Sequence, residues 1–191
     1  KAVKADITES QDVLLRSPDG FIQAAVAQGV SKSTLYYVIN HNRKAKHKTQ
    51  LSKEEMRLEP GEMLLGGGIG DTMGLFENDE LTVLSPEAWI GPKESSPMLE
   101  KMKVKNFIRT DIEEIDSIKF FYIAGESLVR LRKSGSLERT VEIRLPDPEA
   151  YEPYKKKLQR FGLRVDSWKE RNSNLFYSLK LEKFVVGLLL G

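Results

Sequence analysis

The sequence predicts an α+β fold: a split βαβ subdomain assembled from both termini, carrying an inserted β-rich subdomain. Three observations predict it. Strand-like and helix-like segments alternate near each end of the chain. The middle holds short apolar runs separated by glycine and proline turns. From Thr140 onward the strand–helix–strand order of the N-terminus returns.

Ala2-Val-Lys-Ala-Asp-Ile-Thr8 alternates apolar and polar residues and is expected as a strand, and Ser17-Pro-Asp-Gly20 punctuates the chain after it. Phe21-Ile-Gln-Ala-Ala-Val-Ala-Gln28 reads as a short helix closed by Gly29. Ser33-Thr-Leu-Tyr-Tyr-Val-Ile39 is rich in β-branched and aromatic residues, which predicts a strand. The basic segment 40–59 is polar with weak periodicity and ends at the turn Glu59-Pro-Gly61.

Glu62–Leu65 is a short apolar run, and Gly66–Gly70 reads as a glycine-rich turn feeding a short helix. Leu81–Leu84 is expected as a strand after an acidic turn. Residues 85–101 hold three prolines, a Trp-Ile pair and Ser-Ser, which predicts a long loop or irregular hairpin. Met102–Ile108 and Ile118–Ile123 look like strands, Ala124–Leu131 like a helix, and Lys133–Ser136 like a turn. Val141–Leu145 alternates as a strand, and Pro146-Asp-Pro-Glu149 gives a helix start. Tyr154, Leu158 and Phe161 follow at helical spacing, Gly162 closes that helix, and Arg164–Trp168 is the next expected strand.

Lys and Arg number 30 against 28 Asp and Glu. Such a balance argues against nucleic-acid capture as the purpose of the chain. The local exception is His41–Lys48, which packs four cationic residues and both histidines together. It reads as a solvated loop, with a phosphate or lipid-headgroup site as the alternative. The absence of cysteine excludes thiol nucleophiles, thiolate metal sites and disulfides.

No motif predicts catalysis, a cofactor or a metal. Gly66–Gly70 lacks the Gly-Lys-Ser/Thr ending of a phosphate-binding loop, and Asp71 sits where a dinucleotide fingerprint needs glycine. His41 and His47 do not share a helix face. The acidic run Asp111, Glu113, Glu114 and Asp116 lacks calcium-loop spacing, so an exposed connection is expected there. Trp89 and Ile90, in a loop stiffened by Pro92 and Pro97, either tuck into the domain or protrude toward a partner.

The chain turns apolar at Phe184 and stays so to Gly191, after a charged, mixed sequence. Eight residues of helix rise only about 12 Å, too little to span a bilayer, for which about 20 residues are needed. The run reads either as a buried C-terminal helix or strand, or as the first turns of a transmembrane helix. A start at Lys1 without methionine fits a fragment of a longer protein.

Four segments, in order, resemble the periplasmic domain of LolC/LolE-type lipoprotein-releasing permeases, whose domain type is shared with MacB-like transporters. The first is Met63–Gly66 with Met73-Gly-Leu75 and Asp79–Pro86. The second is Met102–Ile108 followed by Glu114–Ser117. The third is Val141-Glu-Ile-Arg-Leu-Pro-Asp-Pro148. The fourth is Val165-Asp-Ser-Trp168 with Asn174-Leu-Phe176 and Leu179–Lys183. Asn78 and Asn106 stand where that pattern usually has glycine.

The resemblance implies a non-catalytic, porter-like subdomain of residues 1–59 and 138–183 and a sabre-like insert over 60–137. It also implies that 184–191 begin a transmembrane helix. It further implies an inner-membrane ABC permease whose domain faces the periplasm, without cofactor or metal. Its partners would be a cytoplasmic ATPase subunit, a second permease subunit, a periplasmic lipoprotein carrier and lipoprotein cargo, with no nucleic acid. Loop 85–101, with Trp89, Ile90, Pro92 and Pro97, takes the place of a carrier-docking hook. A MacB-like efflux or cell-division-type permease, or a stand-alone binding module whose apolar tail is core, are the alternative readings.

Overall fold

A computed structural model describes residues 3–41, 57–86, 99–110, 112–128, 131, 137–171 and 173–190. The chain divides into two compact units, one of Ala5–Glu142 and one of Lys1–Lys4 with Ile143–Gly191.

The larger unit is built on strands β1 (Lys4–Arg16), β2 (Ile22–Val30), β3 (Glu62–Gly66), β4 (Glu80–Leu84), β5 (Leu99–Ile108) and β6 (Lys119–Ile123). β1 pairs antiparallel with β2, β2 parallel with β6, β6 antiparallel with β3, and β3 parallel with β5. β5 then pairs antiparallel with β4, and β4 antiparallel with β1, so the six strands close on themselves. A seventh strand, β7 (Glu138–Arg144), joins the free stretch of β1. The fold is α+β, as expected.

Closure explains the core. Each strand turns alternate residues inward: Val13 and Leu15, Ala25 and Ala27, Met63 and Leu65, Leu81 and Val83, Met102 and Val104, Phe120 and Tyr122. Helix α2 (Gly67–Met73) adds Ile69 and Met73 to the same cluster. Outside the ring, Leu64, Phe121 and Ile123 pack with Leu58 and with Leu35 of helix α1 (Lys32–His41).

Two N-terminal expectations are corrected. Residues 21–28, read as a helix closed by Gly29, run into strand β2 (Ile22–Val30), and 33–39, read as a strand, lie in helix α1. Two small residues of β2 face aromatics: Ala27 stands opposite Phe120 and Gly29 opposite Tyr122. Side-chain volume across the sheet overrides the helical propensity of alanine here. Helix α1 starts where the Ser31 hydroxyl accepts the Thr34 N–H at 3.1 Å, a cap that outweighs the β-branched composition. The N-terminal order is therefore strand, strand, helix, and β1 and β2 pair into the same barrel as residues 60–137. The unit boundaries thus differ from the expected grouping of 1–59 with 138–183.

Ala124–Leu131, read as a helix, begins as a turn with Gly125 at φ 86°. The acidic connection holds the one-turn helix α3 (Glu113–Asp116).

In the smaller unit, helix α4 (Glu152–Gln159) follows the predicted proline-rich start and is closed by Gly162 at φ 74°. It has no buried residue, so the spacing of Tyr154, Leu158 and Phe161 does not mark a core face. The strand expected at 164–168 is absent there. Instead helix α5 (Trp168–Arg171) begins at a capping box, in which Ser167 N–H donates to Glu170 Oε2 at 2.8 Å and Glu170 N–H to Ser167 Oγ at 3.3 Å. Helix α6 (Ser173–Leu190) carries the apolar end, with Phe184 67% exposed and Val185 and Val186 near 45%. Among the described residues, no helix is long and apolar enough to cross a membrane.

Candidate functional site

The candidate site is the long β4–β5 connection and the barrel wall that holds it. Leu84 is paired with Leu99, so the two ends of the connection leave from adjacent strands. The root is rigid: Leu81, Val83, Met102 and Val104 are buried, and so is Ser85. Beside it the Gly61 N–H donates to Ser127 Oγ at 2.9 Å and the Gly61 carbonyl accepts from Lys103 N–H at 2.8 Å. A shallow groove lined by Pro60, Leu99, Met102 and Leu128 runs past the root. Trp89, Ile90, Pro92 and Pro97 lie outside the described residues, as do residues 42–48 of the basic segment.

Charges on the outer face of the barrel are matched across strands. Lys101 meets Glu80 at 3.7 Å and Lys105 meets Glu62 at 3.2 Å. Burial pushes the Glu62 carboxyl up, but the Glu59 N–H and Lys105 outweigh it and hold the group below its usual range.

Several other polar residues tie the barrel together. In Gly66–Gly70, the glycines admit close neighbours. A Cβ at Gly66 would lie 2.3 Å from the Asp116 carbonyl oxygen, and one at Gly70 would lie 2.4 Å from the Phe107 ring. The glycine run therefore lets α2 press against the β5–β6 connection, without the features of a phosphate cradle. Asp71 accepts a bidentate pair from Arg109, Nη1 at 2.8 Å and Nη2 at 2.7 Å, which holds its carboxyl below the usual range. Asp116 accepts from the Thr110 N–H at 2.8 Å and from its hydroxyl, tying the acidic connection into a turn.

Sequence reasoning missed Glu9. Its carboxylate is buried and accepts from Arg139 Nε at 3.2 Å and from Tyr122 Oη and the Gly125 N–H at 3.4 Å each. Together with the hydroxyl contact between Thr8 and Thr140 at 2.8 Å, this fastens β7 to β1. Glu9 sits in an alternating polar stretch of β1, and nothing local in the sequence distinguishes it from an exposed strand residue.

No family model matches the chain. It is 28% identical over 141 residues to the lipoprotein-releasing system transmembrane protein LolC of Neisseria meningitidis serogroup B. It is 27% identical over 151 residues to the protein of the same name from Xylella fastidiosa. Each match covers 70% of this chain and 33% of the relative, so the chain spans about a third of the length of these curated relatives. The resemblance carried by the four sequence segments is thus a detectable similarity to LolC/LolE-type proteins, extending over 70% of the chain.

Proposed function

We propose that this chain is the periplasmic domain of an inner-membrane ABC transporter permease. In this reading it couples ATP hydrolysis on a cytoplasmic partner subunit to the release of outer-membrane lipoproteins and their hand-over to a periplasmic carrier. The observation that carries the proposal is the similarity to two proteins named as lipoprotein-releasing system transmembrane proteins.

Two structural features support it. Helix α6 presents Phe184, Val185 and Val186 to solvent, an arrangement suited to a helix that continues into lipid beside a second permease subunit. The barrel gives the 85–101 loop a base anchored at Leu84 and Leu99, so that motion of the domain would reach the loop through this base. In this role the domain is non-catalytic, and the loop residues Trp89, Ile90, Pro92 and Pro97 contact the carrier.

The test is a pull-down of the periplasmic carrier by the whole permease, comparing the parent with Trp89→Ala and Pro92→Ala. A buried aromatic anchor is worth about 2 kcal/mol or more, so Trp89→Ala should weaken capture by at least about 30-fold. Unchanged capture by both variants, or none by the parent, would count against carrier contact through this loop.

A further inference from the structure

The charges of the chain are divided unequally between its two units. Lys1–Lys4 with Ile143–Gly191 hold 12 Lys and Arg against 6 Asp and Glu, a net of +6. Ala5–Glu142 holds 18 against 22, a net of −4. The near-neutral total hides this contrast.

Within the smaller unit most carboxylates are committed. Glu170 accepts from Lys155, Glu149 from Lys169, and Asp166 lies 3.5 Å from Arg164. Lys156, Lys157 and Arg160 are exposed and have no ion-pair partner among the described residues. Spacing puts Lys156 and Arg160 four apart along α4 and its last turn, and Lys157 and Phe161 likewise. Phe161 is 73% exposed and Leu163 is 55% exposed. Unmatched cations interleaved with exposed apolar side chains match a membrane surface, where headgroups take the charges and the interface takes the rings. Helix α6, with its exposed apolar end, belongs to the same unit.

We infer that Lys156, Lys157 and Arg160, with Phe161 and Leu163, form a contact surface for anionic phospholipid headgroups. This rests on the reading above only in placing a membrane near α6. An anionic membrane is favoured over an acidic protein because the cations are interleaved with apolar side chains in the unit that carries α6.

The experiment is co-sedimentation of the whole chain with vesicles of phosphatidylcholine alone and with vesicles containing about 30% phosphatidylglycerol, at low and high salt. Each basic residue near an anionic surface is worth about fivefold in partitioning. The parent should therefore bind the anionic vesicles at least tenfold more tightly than the neutral ones, with the gain lost in salt. Lys156→Gln, Lys157→Gln and Arg160→Gln combined should abolish the gain, and Phe161→Ser should weaken it, with circular dichroism unchanged. Equal binding to both vesicle types overturns the inference while leaving a membrane-bound α6 standing. A combined variant that keeps the anionic gain also overturns it. No binding to either vesicle overturns it too, and leaves an acidic protein surface as the occupant of these cations; carrier capture tests the permease reading independently.

Discussion

Gly29 on β2 stands directly opposite Tyr122 on β6, and a Cβ at Gly29 would lie 2.7 Å from the tyrosine ring. The two strands can approach here because one partner has no side chain. Gly29→Ala should destabilise the domain by about 1–3 kcal/mol through overpacking. Adding Tyr122→Leu should recover part of the loss, giving a favourable coupling in a double-mutant cycle measured by denaturant unfolding. Simple additivity would refute the contact.

The glycines at the β3–α2 junction should respond unequally. At Gly66 the obstruction is the backbone oxygen of Asp116, which cannot yield, so Gly66→Ala should cost about 3 kcal/mol or more. At Gly67 the obstruction is the Arg109 side chain, which can shift at the expense of its pair with Asp71, whereas backbone cannot. Gly67→Ala should therefore change the urea midpoint much less than Gly66→Ala. A reversed order would contradict the packing account of this run.

Arg139→Ala removes a charged donor from the buried Glu9 carboxylate. The cost should be about 1–3 kcal/mol. Hydrogen exchange should rise first at β7, which that ion pair helps to hold. Uniform exchange across the barrel would show that the pair does not fasten β7.

Glu170 is held down to about 2 by the Lys155 ammonium first, and then by the Ser167 N–H and hydroxyl. A lowered folded pKa contributes stability that is present above the ordinary value of 4.5 and is lost as pH falls toward 2. A carboxyl-carbon titration by NMR should find Glu170 still ionised at pH 3.5, about a unit under the ordinary carboxylate value. In Ser167→Ala the midpoint should move upward. A Glu170 midpoint near 4.5 would show that the capping box does not form.

How much was legible in the sequence depended on the range of the interactions. Turns set by local chemistry were readable, such as Ser17–Gly20, where Gly20 takes φ 88°, and so were the strands around Leu81–Leu84 and Met102–Ile108. β2 defies local reading because Ala27 answers to Phe120 and Gly29 to Tyr122, nearly a hundred positions away. α5 was misread although its signal, Ser167 followed three residues later by Glu170, was available locally. At the root of the candidate site the expected loop starts where β4 ends at Leu84, but Leu99–Lys101, read as loop, already belong to β5 and pair with β4. Glu9 could not be found by local reading, since its partners come from β6, the turn after it, and β7.

The central claim is tested most directly by ATP-dependent transfer of a lipoprotein. The permease containing this chain would be reconstituted in proteoliposomes with its ATPase subunit, and lipoprotein recovered on the carrier would be measured. The parent should transfer lipoprotein only with ATP. Replacement of residues 87–98 by a glycine–serine linker should leave ATP hydrolysis intact but reduce transfer by roughly tenfold or more. A parental complex that hydrolyses ATP yet transfers no lipoprotein would contradict the account.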